Sequence, residues 1–186
     1  MPVSKTSLTA FSILAILGLA ISGAVWGART DFELESLRGL SGVYVVVQTL
    51  SPEIVTDGLT VEALKSTINK RLSAAGIKLL AKGDTLSSRD GILLVALSSV
   101  KSKTGVHACS IDVELIQVTT LARTPDKPSP ATTWASGIVA VVSPENVSHL
   151  SDTVCEAVDD FVKDYNSANS TSGAGPKIPI PDEKKL

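Results

Sequence analysis

The chain has 186 residues, of which 44% are apolar, 19% charged and 4% aromatic, with a formal net charge of −2. This is enough sequence for one globular domain with a single buried core, and it excludes a disordered or collagen-like chain. Near-neutrality also argues against a nucleic-acid binder, which needs a concentrated basic surface. The mean hydropathy of +0.26 owes most of its excess to the first 28 residues.

Leu8 to Ala28 carries no charge and follows Lys5 and the amino terminus, with Phe11 to Ile21 as its apolar centre. A positive start, an apolar run and a small-residue end describe a secretory signal over residues 1–27, cut after Ala24 or Gly27. The competing reading is an uncleaved inner-membrane anchor over residues 8–28, long enough to match a hydrocarbon core of about 30 Å. Ser12, Gly18, Ser22 and Gly23 interrupt the run and favour cleavage. No Cys stands near the cut, so lipoprotein acylation has no thiol to use. The protein is therefore expected to be exported, periplasmic or extracellular. Loss of residues 1–27 removes Lys5 and leaves a net charge of −3.

Residues 28–40 read as a lead-in with Phe32, Leu34, Leu37 and Leu40 as packing points. Gly42 to Leu50 is apolar on both faces and reads as a central strand. Ser51 to Gly58, with Pro52, Asp57 and Gly58, reads as a loop. Thr60 is then an N-cap, and Val61, Leu64, Ile68, Leu72 and Ala75 recur at helical spacing. Gly76 stops that helix, and Ile77 is placed to touch Leu72 in a Schellman motif. A short strand is expected over Ile77–Ala81, one apolar on both faces over Gly91–Val100, and a long one over Val106–Ala122 whose even positions Ser110, Asp112 and Glu114 are polar. Arg123 to Ala131 holds Pro125, Pro128 and Pro130 and is expected to loop, before a last strand over Thr132–Val142. Ser143-Pro144-Glu145 opens a second long helix with Val147, Leu150, Val154, Val158, Phe161 and Tyr165 inward. Residues 167–186 read as a disordered Pro- and Lys-containing tail.

The expected fold is an α/β two-layer sandwich over residues 41–166, in the order β-α-β-β-β-β-α. Its mixed, largely antiparallel sheet of about five strands carries two helices on one face. This order resembles small envelope domains related to the anticodon-binding fold, namely the amino-terminal domain of the Tol system's propeller protein and the periplasmic domain of the curli-secretion channel. The segments LRGLSGVYVVVQ, SIDVEL and FVKDYNSAN resemble a family of secreted bacterial proteins. That resemblance implies a bacterial source and supplies no catalytic residue.

Asp112 and Glu114 lie at i,i+2 on one strand face, about 7 Å apart by strand rise. Such a pair suits a glycoside hydrolase, yet that chemistry also needs an aromatic-lined cleft. The few aromatics beyond the signal read mostly as core, so the pair reads as the solvated acidic face of a strand. His107 and His149, the only histidines, read as surface or edge residues, and no GxSxG elbow accompanies them. Zinc would require Cys109, Cys155 and a histidine to converge without any CxxC or HxxxH spacing. Asn146-Val147-Ser148 and Asn169-Ser170-Thr171 fit the glycosylation pattern, which is incidental in a bacterial protein. No cofactor motif is present. Export does supply an oxidant for one bridge, so a Cys109–Cys155 disulfide between strand and helix is expected, against two buried free thiols. The functional expectation is a non-enzymatic exported module that binds another envelope protein. The alternatives are small-ligand or lipid binding and, behind them, a hydrolase using Asp112 and Glu114.

Overall fold

The computed structural model describes residues 30–170. The expected signal over 1–27 and the expected tail from 171 onward lie outside that range. One four-stranded sheet, in the order β1-β2-β3-β4, is built from β1 (Gly42–Val47), β2 (Asp90–Lys101), β3 (His107–Leu121) and β4 (Thr124–Val142). β1 and β2 run parallel, and the β2–β3 and β3–β4 pairs are antiparallel. The two-layer α/β sandwich is therefore as expected, with four strands in place of five. The missing strand, Ile77–Ala81, makes only an isolated parallel bridge between Leu79 and Val43. Two bonds hold it, Val43 N–H to Lys78 O and Leu80 N–H to Val43 O. Ala81 N–H is then taken by the Asp84 carboxylate, and the chain turns away through Gly83.

The helical layer holds α1 (Asp31–Ser36), α2 (Pro52–Thr56), α3 (Val61–Ala74) and α4 (Leu150–Ser170). α3 follows from local chemistry. Thr60 caps it by accepting from Ala63 N–H, and Leu64, Ile68 and Leu72 are its buried stripe. At its end Gly76 N–H bonds to Ser73 O and Ile77 N–H to Leu72 O, with Gly76 at φ +77°, a Schellman stop. The second long helix divides: Pro144–His149 is a 3₁₀ turn, and α4 starts at Leu150.

Three expectations need correction. The lead-in contains α1, closed by a capping box in which Thr30 and Glu33 bond each other's backbone N–H groups. The loop over Ser51–Gly58 contains α2, whose Ser51 cap and Pro52 start supply a full turn. The third correction is the largest: Arg123–Ala131 does not loop, because Thr124–Ala131 is the first half of β4. Pro128 and Pro130 sit opposite Thr120 and Val118. Two residues apart on an edge strand, they turn the same side outward, where no N–H is needed. Pro125 falls in the register shift next to Leu121, outside the regular ladder. Residues 167–170, read as the start of the tail, belong instead to α4, and Ala168 is buried.

The core fills the space between the helices and the odd positions of β2 and β3: Leu93, Val95 and Leu97, then Cys109, Ile111, Val113 and Leu115. Trp134 and Phe161 meet edge to face at 5.2 Å in its middle. Beyond the Ile92–Ile116 pair β2 has no further partner for β3, so the distal β3–β4 hairpin projects as a two-stranded arm.

Candidate functional site

The face of the sheet opposite the helices carries no helical layer among the described residues. Strand alternation places Tyr44 and Val46, then Ile92, Leu94, Ala96, Ser98 and Val100, on that face. β3 adds Ala108, Ser110, Asp112, Glu114 and Ile116 at its even positions, and β4 adds Ala135, Gly137, Val139 and Val141. Register sets these into rows. Val46, Leu94, Glu114 and Ala135 form one, Ala96, Asp112 and Gly137 the next, and Val100, Ala108 and Val141 the last. The corner is the most exposed part, with Val100 at 74%, Val141 at 69% and Val139 at 63%. Val139 adjoins Val141 at this corner, and the row Ser98, Ser110 and Val139 separates it from the acidic middle of the face.

Asp112 and Glu114 stand in the middle of this apolar frame. Asp112 accepts from Ser110 Oγ at 3.0 Å, and Glu114 accepts from Thr132 Oγ1 at 3.2 Å. Gly137 makes room for the Asp112 carboxylate, because a Cβ there would stand 3.2 Å from Asp112 Oδ1. No outward strand position on this face is basic, so both carboxylates are answered by hydroxyls only. The sequence reading placed both acids correctly on a wet strand face. They lie on a sheet surface, and Tyr44 is two strands away, about 10 Å by strand spacing. Trp134 and Phe161 are in the core.

The histidines part company. His149 is exposed, 3.5 Å from Asp152. His107, expected at the surface, is fully buried at the first inward position of β3. Its Nε2 is 2.8 Å from Asp57 Oδ2, the same oxygen that receives Lys101 Nζ at 2.6 Å. Lys101, then His107, hold the Asp57 carboxyl below its ordinary range. His107 Nδ1 has no hydrogen-bond partner among the described residues. The sequence reading gave Asp57 only as a loop residue and did not join it to Lys101 or His107, because neither spacing nor motif links residues 44 and 50 positions apart.

The expected Cys109–Cys155 bridge is not made: both thiols are free and buried. Cys109 belongs to the contiguous core, whereas Cys155, one residue round the helix from the inward Val154, lies outside it. Burial pushes the Cys109 thiol up. Among the described residues no group of three or more His, Cys, Asp or Glu converges on a metal position. A cleft of about 260 Å³ opens at the β1 edge between Tyr44, Lys65, Asn69, Leu79 and Lys82, with Lys65 Nζ 5.3 Å from the Tyr44 ring centroid. No described helix is long and apolar enough to cross a membrane.

No family model and no curated protein matches the chain. Among solved structures, a minor lipoprotein from Acinetobacter baumannii is similar at 10% identity, over 69% of this chain and 93% of that one, with a TM-score of 0.29. At that score neither fold nor function transfers from it.

Proposed function

We propose that this chain is a non-enzymatic, exported module of the bacterial cell envelope that binds another envelope protein on the open face of its sheet. The observation that carries this reading is the exposed apolar corner beside Asp112 and Glu114, two carboxylates with hydroxyl donors and no ion pair among the described residues. Charge complementarity supports a partner that presents a lysine or arginine set between apolar side chains. A second copy packed face to face about a two-fold axis would bring four carboxylates together, which like-charge repulsion opposes. Export rests on the charge-free run from Leu8 to Ala28 behind Lys5.

The non-enzymatic part rests on two placements. The acidic pair lies on an open surface rather than in a cleft, and His107 is shut into the interior. Against small-ligand or lipid binding at the described cleft by Tyr44 stands its lining, which two lysines flank and which is not the enclosed apolar pocket such ligands favour.

The test compares the tagged exported protein with a V139D/V141D variant and a D112K/E114K variant, using K70E on α3 as the control. The partner recovered with the wild type should fall at least tenfold in both open-face variants and hold in K70E. Equal recovery in all four would overturn the reading. Amino-terminal sequencing of the exported protein should find residue 25 or 28 first, whereas Met1 in the membrane fraction would establish the anchor.

A further inference from the structure

The outer edge of β4 is guarded over Pro125–Pro130 and, among the described residues, has no strand paired with it at Gly137, Val139 and Val141. Ser102 N–H bonds to Val106 O beside the Lys101–His107 pair. By antiparallel alternation the even residues of β3 therefore bond β2 and the odd residues bond β4. Their β4 partners are Ser136, Ile138, Ala140 and Val142. Gly137, Val139 and Val141 consequently turn N–H and C=O outward, where no described strand pairs with them. None of Ser136–Val142 is charged or proline, while the other half of β4 holds Pro125, Asp126, Lys127, Pro128 and Pro130. Prolines and charges are how natural sheets close an edge to pairing, and Ser136–Val142 lacks both.

The C-terminal sequence repeats the alternation that guards the arm. In Ile178-Pro179-Ile180-Pro181 the two isoleucine N–H groups fall on one side of an extended chain, and the two prolines fall on the other. Such a segment pairs along one edge and closes the other. Its point of departure is set by α4, which runs antiparallel to β4: Asp160 bonds Ser136 at 3.1 Å and Asp164 bonds Trp134 at 2.9 Å. Ser170 therefore ends beyond the Trp134 end of the Gly137–Val141 edge. The seven residues 171–177 reach up to about 25 Å, ample to step roughly 10 Å from the helical layer to the sheet. Ile178–Pro181 then spans about 10 Å, within the roughly 13 Å of Gly137–Val141.

We infer that Ile178–Pro181 docks on the Gly137–Val141 edge as a fifth strand, parallel to β4. A short tether places it there at millimolar effective concentration, so a few backbone bonds suffice. The inference is independent of the open-face reading, since it uses the edge of the sheet and this chain alone.

The test is amide hydrogen exchange at Gly137, Val139 and Val141 in the exported protein with its complete C-terminus. Parallel measurements use an I180P variant, which removes a donor on the pairing side, and a chain ending at Ser170. The expected result is protection that does not depend on protein concentration and falls at least tenfold in both variants, with Ile111 and Val113 unchanged. Equal protection in all three proteins would overturn the inference. So would protection that disappears on dilution while sedimentation shows a dimer, which would assign the edge to a second copy.

Discussion

Several side chains in this fold are fixed by what they accept rather than by what they bury. Asp90 opens β2, and its carboxylate takes Ser87 N–H, Ser87 Oγ and Ser41 Oγ at 2.6–2.8 Å. It thereby joins the turn before β2 to the start of β1. The bonds from Ser87, then Ser41, hold its pKa at about 2, against an ordinary 3.8. A carboxylate lowered in this way adds stability above its unfolded pKa and loses it as the pH falls through the folded value. The window here runs from about pH 4 down to about pH 2. Asp90→Asn should accordingly be less stable than the wild type at neutral pH, with the gap closing across that window. Urea melts at intervals between pH 2 and pH 7 check this; a gap that does not change with pH would mean the carboxylate charge contributes nothing.

At the scale of elements, what was legible in the sequence is what local chemistry decides. α3 is set by Thr60, its apolar spacing and Gly76, all within 17 residues, and the structure reproduces its cap, stripe and Schellman stop. The Thr30-x-x-Glu33 box that makes α1 was equally local, and the lead-in reading passed over it. Other features depend on distant chain. Whether Pro128 and Pro130 break a strand depends on which side of it is covered, and that is known only once β4 is the edge. His107 is buried because Asp57 meets it from fifty residues away. The Cys109–Cys155 expectation had the strand face right, but a helical step of about 100° turns Cys155 off the stripe. α4 ends in a tie that also escaped the pattern: Asn169 Oδ1 accepts Gly39 N–H at 2.8 Å, and its Nδ2 donates to Leu37 O at 3.0 Å. These bonds fasten the α1–β1 connection to the helix end. Asn169→Ala should cost about 1 kcal/mol in chemical denaturation, the usual value of such bonds. The exposed Asn166→Ala should stay within about 0.5 kcal/mol. Equal effects from the two would show that the tie contributes no stability.

For the whole molecule the question is which parts the fold needs and which it only carries. The core lies between α3, α4 and the stretch of sheet that ends at the Ile92–Ile116 pair. Past it, Gln117–Leu121 pairs with Thr124–Ala131 alone, and Val118 and Leu121 are 62% and 42% exposed. A two-stranded ribbon without a third strand or a helix over it is marginally stable in water, so the arm draws its order from the sheet and returns little. Replacing Val118–Pro130 by Asn-Gly, which favours the type I′ turn of a tight hairpin, should leave the domain folded. For a domain of this size the melting temperature should move by less than about 4 °C, corresponding to less than about 1 kcal/mol. A larger fall would place part of the core's stability in the arm. The shortened chain separates a contribution to stability from one to contact. It should melt like the parent, while any partner that reads the arm in addition to the open face is recovered less well.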